Sequence, residues 1–252
     1  MHDALLIMDH LATLGAAPAV TAYAPDGRLE VSGRVARQWA SKIGGLLRDE
    51  LDAEPGDLLA VDLPPSWRAP LWTLGALVVG VTPHLSGAPA ADHGAGPAGS
   101  TGAAGSTGAG PSATAPATAP LATVTHEPAA AGAVAGTVLA LAEPSMSMRW
   151  AGDLPAGALD ASAETLAQPD ELILPPTPAE GDPTAEAGAA VGRGLDRGAR
   201  VALVPTSTAH GVAWVLGTWL AGGSAVLLAP GTSPEEAARL AEVERATLQA
   251  AD

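Results

Sequence analysis

Hydrophobic and polar positions along this chain fall into short apolar runs and helical-period stretches, and the switches between them mark its elements. The fullest example is Gly56 to Pro83, GDLLAVDLPPSWRAPLWTLGALVVGVTP. Leu58 to Leu63 is a short, mostly apolar run opened by the turn signal Glu54-Pro55-Gly56-Asp57 and closed by Pro64-Pro65, the pattern of a buried parallel strand. Leu71, Leu74, Leu77 and Val78 then recur at helical spacing, with Ser66 expected as the N-cap and Pro70 in the first turns, where proline costs least. Gly80 ends this helix and Val81-Thr82-Pro83 begins another extended segment, which predicts a right-handed βαβ unit. In such a sheet a ligand binds at the strand's carboxyl end, here Pro64 to Trp67, which makes Ser66 and Trp67 candidate binding residues.

The same pattern returns at Arg200 to Pro230, RVALVPTSTAHGVAWVLGTWLAGGSAVLLAP. Leu63-Pro64-Pro65-Ser66 answers to Val204-Pro205-Thr206-Ser207, and Gly80 to the Gly222-Gly223 break before a strand at Ser224 to Leu228. The fold class expected is α/β, with two similar lobes of mostly parallel sheet and flanking helices: 1–85 as the first lobe, 86–119 as a low-complexity insertion or linker, and 120–252 as the second lobe.

Other segments fill this frame. Ala4 to Leu14 reads as an amphipathic helix. Ala19 to Tyr23 and Leu29 to Val31 flank Pro25-Asp26-Gly27, and Asp-Gly between such strands predicts a hairpin. Ser32 is placed to cap a helix through Leu51, with Val35, Trp39, Ile43, Leu46 and Leu47 on its apolar side and Arg34, Arg37, Arg48 and Asp49 solvated. Strands are expected at Leu121 to Thr125, Thr137 to Leu141 and Glu171 to Leu174, and a helix at Pro183 to Leu195. Ser233-Pro234-Glu235-Glu236 is a capping box that opens a last helix running to about Leu248.

Composition then narrows the function classes. At 252 residues and 47% hydrophobic, the chain can bury a substantial core. Its 12 Lys+Arg against 27 Asp+Glu leave a net charge of −15, which removes the phosphate neutralisation that nucleic acid or an anionic membrane surface would need. Without cysteine there is no thiolate chemistry and no disulfide. The N-terminus MHDALLIMDH carries acid where a signal peptide carries base, and the expected location is cytoplasmic. Gly211 to Pro230 has no charge and is long enough to cross a bilayer, but Gly222-Gly223-Ser224 breaks it into a helix and a strand, so no membrane span is expected. From Ser86 to Ala119 the chain is almost entirely Ala, Gly, Ser, Thr and Pro, with GSTGA at Gly99 to Ala103 and again at Gly105 to Ala109. Such a stretch buries too little apolar surface to offset its ordering entropy, and as a coil its ends lie roughly 30 Å apart.

Several motifs are matched by composition alone. Gly94-Ala95-Gly96-Pro97-Ala98-Gly99 fits GxGxxG but follows no strand and opens no helix, and Ser100 to Gly108 imitates a phosphate loop without a lysine. His84, His93 and His126 have no metal-ligand spacing and read as solvated, as do His2 and His10. His210 differs, because it begins a helix just past a strand's carboxyl end. There it joins Thr206 and Trp214 as a candidate ligand-binding group, against the alternative of a structural helix-terminal histidine.

The order of hairpin, Ser32-capped helix, Glu54-Pro55-Gly56-Asp57, strand, Leu63-Pro64-Pro65-Ser66, helix and Gly80, with the later Ala221-Gly222-Gly223-Ser224-Ala225-Val226-Leu227-Leu228, resembles the N-terminal domain of the adenylate-forming enzymes: acyl-CoA synthetases, adenylation domains and luciferases. More narrowly, the chain resembles a short actinobacterial family distantly similar to AMP-binding enzymes. Those enzymes carry a Ser/Thr/Gly-rich phosphate loop ending in Pro-Lys; the corresponding place here is Leu174-Pro175-Pro176-Thr177-Pro178-Ala179-Glu180-Gly181-Asp182. Its prolines lack N–H donors, its acids repel phosphate and it has no lysine. With the chain ending at Asp252, the family's downstream adenine, magnesium and ribose motifs and its catalytic lid have no counterpart. His210 resembles the family's His or aromatic near the acyl pocket, at a longer spacing from Pro205. The expectation is a truncated, non-catalytic homologue with no cofactor and no metal, binding a small acyl or nucleotide-like ligand or acting in regulation. The alternatives are a scaffold holding a protein partner or a second copy of itself, and an acyl- or aryl-adenylate-forming ligase.

Overall fold

The computed structural model describes residues 3–24, 26–85, 119–131, 136–143, 146–173, 175–177 and 182–249. The expected linker is outside that set apart from Ala119, as are His93, Leu174 and residues 178–181 of the loop that answers to the phosphate loop.

The chain begins with helix α1 (Asp3–Leu14), followed by the hairpin of β1 (Pro18–Ala24) and β2 (Gly27–Ser32), paired antiparallel with Ala24 opposite Gly27. Ser32 caps α2 (Gly33–Gly45), its hydroxyl accepting from Val35 N–H, and the helix continues as a π turn through Leu46–Glu50. Leu46 and Leu47 of that turn are fully buried, so the widened turn keeps the apolar side of the helix in the core. Next come β3 (Leu58–Asp62), α3 (Arg68–Val78) and β4 (Thr82–Leu85), the predicted βαβ unit. Every residue of α3 is buried, which explains why its sequence shows no polar stripe. Gly80, at φ +85°, makes the turn into β4.

Three strands and two helices follow: β5 (Ala122–Thr125), α4 (Pro128–Ala131), β6 (Thr137–Ala140), β7 (Ala158–Asp160) and α5 (Ala161–Ala167). The C-terminal part holds α6 (Pro183–Arg193), β8 (Arg200–Leu203), α7 (Thr208–Leu220), β9 (Ser224–Leu227), α8 (Pro234–Val243) and β10 (Thr247–Leu248).

The strands form two five-stranded sheets, ordered β10-β8-β9-β1-β2 and β4-β3-β5-β6-β7. All pairings are parallel except the β1–β2 hairpin. The architecture is therefore α/β with two mostly parallel sheets. The sheets do not divide the chain at the expected lobe boundaries. β1 and β2 join the sheet built from residues after 200, because Val20, Thr21 and Ala22 pair with Ala225, Val226 and Leu227; residues 122–160 complete the sheet begun by β3 and β4. A single apolar core runs through both sheets, from Val20, Leu203 and Ala225 to Leu59, Val124 and Leu139, by way of α1, α2, α3 and α7. Trp219 ties α7 to β1 by donating its indole N–H to the Ala19 carbonyl at 3.0 Å. The outer face of the first sheet has its own small cluster, Val226 and Leu228 beneath Ala237 and Leu240 of α8.

Some expectations are corrected. Ser66 is not an N-cap: α3 starts at Arg68 behind Trp67, no side chain caps it, and Ser66 Oγ is buried without a partner. Glu171 to Ile173 is not a strand, since Ile173 is 73% exposed and the edge position is filled by β7. The last helix ends at Val243, where Arg245 at φ +52° turns the chain into β10. Arg48 is not a solvated position; its side chain is only 17% exposed. Among the described residues no helix is long and apolar enough to cross a membrane.

Candidate functional site

The second sheet reverses its direction of growth at β3. The chain leaves β3 through α3 to β4 on one side, then returns past β3 to place β5, β6 and β7 on the other. Such a reversal leaves the two connections running to opposite sides of the sheet and opens a crevice beyond the carboxyl ends of β3 and β5. Here that crevice is a cleft of about 360 Å³ lined by Asp62 to Pro65 after β3, Thr125 to Glu127 after β5, and Ser207 and Thr208 at the start of α7. Thr208 is buried and donates its hydroxyl to the Leu63 carbonyl at 2.7 Å, which fixes the first turn of α7 against the end of β3. Thr125 Oγ1 accepts from Glu127 N–H at 3.0 Å and lies 3.4 Å from Asp62 Oδ2, linking the two strand ends. The Ser207 hydroxyl caps α7 by accepting from His210 N–H at 3.1 Å.

His126 lines this crevice, and the expectation that it is solvated is corrected: its side chain is 12% exposed. Nδ1 is 2.7 Å from the Leu141 carbonyl. A carbonyl only accepts, so Nδ1 carries the proton and the neutral ring presents Nε2 as an acceptor. Nε2 lies 3.9 Å from Glu143 Oε1. Burial holds the pKa of His126 below the ordinary histidine value, outweighing the Leu141 hydrogen bond and the Glu143 carboxylate that favour its protonation. The chain pattern contained a signal for this residue, since His126 immediately follows the expected strand Leu121 to Thr125, the same strand-end position that singles out His210.

The five expected binding residues divide into two groups. His210, Thr206 and Trp214 come together beyond the carboxyl end of β8: Thr206 N–H donates to His210 Nδ1 at 3.2 Å, and the imidazole meets the Trp214 ring edge-on at 6.2 Å between centroids. This is the reversal point of the first sheet, where β9 and β10 flank β8. Ser66 and Trp67 are elsewhere. Trp67 is buried against Trp39 in an edge-to-face pair at 6.0 Å, with the Arg68 guanidinium over its ring at 5.5 Å. Arg68 in turn donates to the Ala142 carbonyl. The tryptophan is thus a core residue, and Pro64 and Pro65 line the cleft in its place.

The loop that answers to the phosphate loop ends at Asp182, which is 3% exposed and caps α6. Its Oδ1 accepts from Thr184 N–H at 2.8 Å and Ala185 N–H at 3.1 Å. Burial raises its pKa, against the two backbone N–H bonds that favour the carboxylate. Among the described residues no three His, Asp or Glu side chains are placed to hold a metal ion.

Comparison with known proteins agrees with this architecture. No protein-family profile matches the chain. Over 75 residues it is 37% identical to a TIGR03089 family protein of Mycobacterium tuberculosis, a match covering 29% of this chain and 31% of that protein. In three dimensions it is similar to the acyl-CoA synthetase of Brucella canis, with a TM-score of 0.67 and 17% identity over 98% of this chain and 47% of that one. It is also similar to acetoacetyl-CoA synthetase from Streptomyces lividans, with a TM-score of 0.66 and 18% identity over 98% and 42% of the two chains. A third similar structure is the N-terminal subdomain of Klebsiella oxytoca NpsA, solved in complex with 3-hydroxybenzoyl-AMSN, with a TM-score of 0.63 and 12% identity over 97% and 58%. The fold is that of the N-terminal domain of adenylate-forming enzymes. The chain spans about a third of its curated relative and less than half of either synthetase.

Proposed function

We propose that this chain is a small-molecule-binding protein built on the N-terminal fold of adenylate-forming enzymes, with a regulatory role and without adenylating activity of its own. The observation that carries this reading is the Asp182 cap. A helix N-terminus binds phosphate through its free N–H groups and the positive end of its dipole. In α6 two of those N–H groups are held by the chain's own buried carboxylate, directly after a loop with prolines at 175 and 176 and no lysine. A phosphate chain placed there meets negative charge where it requires donors. The cleft between β3, β5 and α7 remains as a binding site, with hydroxyl, imidazole and carboxylate groups facing about 360 Å³. The N-terminal subdomain of NpsA, solved in complex with 3-hydroxybenzoyl-AMSN, is a unit of similar fold that holds a small molecule.

Thermal shift against ATP, AMP, coenzyme A and a set of acyl and aryl carboxylates tests this together with ATP–pyrophosphate exchange. The expected result is stabilisation by at least one of these compounds, about 2.7 kcal/mol at a hundred times its dissociation constant, with no exchange. Carboxylate-dependent exchange that His210→Ala abolishes overturns the non-adenylating reading. A second reading, a surface that holds a protein partner or another copy, is favoured by the exposure of Met146, Met148 and Ile173 at 70%, 69% and 73%. Gel filtration with light scattering at high concentration decides it for self-association; a clean monomer counts against it.

A further inference from the structure

His126 is shared by more than one cavity. Besides the cleft at the reversal point, it lines a shallow apolar groove of about 630 Å³ whose other walls include Pro128, Trp150, Leu154 and Pro155. It also lines a pocket of about 120 Å³ between Trp150 and Glu143. We infer that the groove and this adjoining pocket together bind a primary amine carried on an aromatic or short aliphatic body, the ammonium entering the pocket to donate to His126 Nε2 and the Glu143 carboxylate while the body lies in the groove against Trp150 and the prolines.

The donor and acceptor arrangement sets the class of ligand. The Leu141 carbonyl fixes the proton on Nδ1, so Nε2 offers only a lone pair while the ring is neutral, as its lowered pKa keeps it near neutral pH. Glu143 Oε1, 3.9 Å away, adds a second acceptor at a spacing that one ammonium can bridge. The rim adds Glu127 and Asp153. Two acceptors and an acidic rim attract a cationic donor and reject a carboxylate of the same shape, because an anion finds no donor on the ring and three carboxylates around it. Among the described residues, the cation acting on His126 is Arg68, which is buried and donates to the Ala142 carbonyl. Trp150 supplies an aromatic wall against which an apolar body packs and beside which an ammonium is favoured. His126 is thus the contact group for the ligand.

This inference rests on the proposed binding function and names a ligand class for one side of the same histidine. Calorimetric titration with 2-phenylethylamine, 2-phenylethanol and 3-phenylpropanoate separates charge from shape, since the three share nearly the same body. The amine is expected to bind tightest and the carboxylate not measurably. His126→Asn keeps an N–H donor for the Leu141 carbonyl and removes the Nε2 acceptor, and it should weaken the amine roughly tenfold or more. Glu143→Gln, at a side chain 68% exposed, should weaken it a few-fold. Amine affinity unchanged in both variants, or the carboxylate bound as tightly as the amine, overturns the inference. If the amine fails to bind while AMP or a carboxylate still raises the melting temperature, the amine site falls and the proposed function stands; if no compound binds, both fall.

Discussion

Glu244 shows how much a single residue at the edge of an element can hold together. It follows α8, is 7% exposed at its side chain, and receives Tyr23 Oη and Arg28 Nε at 2.7 Å and Arg200 at 2.8 Å. One carboxylate thereby joins the hairpin, β8 and the last helix. The Arg28 hydrogen bonds, reinforced by Tyr23 and Arg200, pull its pKa from 4.5 to about 2. Because the folded-state value lies below the unfolded one, the stability this group contributes is fully present above about pH 4.5 and is lost as pH falls toward about 2. Glu244→Gln is expected to cost about 1.5–3 kcal/mol at neutral pH and to flatten the acid limb of a melting-temperature profile. A variant with an unchanged acid limb would show that the network adds nothing.

At the scale of elements, the two βαβ units invite a comparison that the structure makes quantitative. Both have a proline-rich strand end followed by a serine, but only Ser207 caps its helix, while Ser66 Oγ is buried without a partner. Ser207→Ala is expected to cost about 1 kcal/mol, a drop of roughly 2–4 °C, and Ser66→Ala is expected to be neutral or stabilising. Equal losses at both positions, measured by thermal or urea unfolding, would contradict this asymmetry. The difference lies in register: α3 starts two residues after Ser66, behind the buried Trp67, so packing of the indole against Trp39 outranks the cap. The same competition explains the strand that was expected at Glu171 to Leu174. Its short apolar run suits a strand, but β7 fills the free edge of the sheet with Ala158–Asp160, a segment too short and too mixed to stand out by pattern.

At the scale of the whole molecule, the two sheets exchange segments along the chain. Residues 1–85 supply β1 and β2 to one sheet and β3 and β4 to the other, and residues from 119 onward supply the rest of both. A fragment of 1–85 therefore contains no complete sheet, and neither does 119–252. Expressed separately, neither should show a cooperative unfolding transition; mixed, they should associate one to one and recover it. Cooperative folding of either fragment alone, seen by calorimetry, would mean that the lobes are independent after all. The cleft at the reversal point of the second sheet belongs to this scale too, since its walls come from β3, β5 and α7, which lie far apart in sequence.

The chain pattern by itself determined the α/β class, the hairpin, the caps at Ser32 and Ser233, the two βαβ units, and the resemblance that the architecture now supports. These are local matters, in which period, turn chemistry and capping act over a few residues. It also pointed to the strand end after β3, which lines the cleft, and singled out His210, Thr206 and Trp214, which the fold brings together. Tertiary structure alone decided that β1 joins β9, that the sheet reverses between β3 and β5, that Trp67 is core, and that His126 is buried with its proton held by Leu141. Those outcomes depend on which distant strands pair and which side chains fill the space between them; nothing within a few residues of Trp67 encodes that choice, and the place of His126 just after a strand marks it as a strand-end residue without encoding its burial.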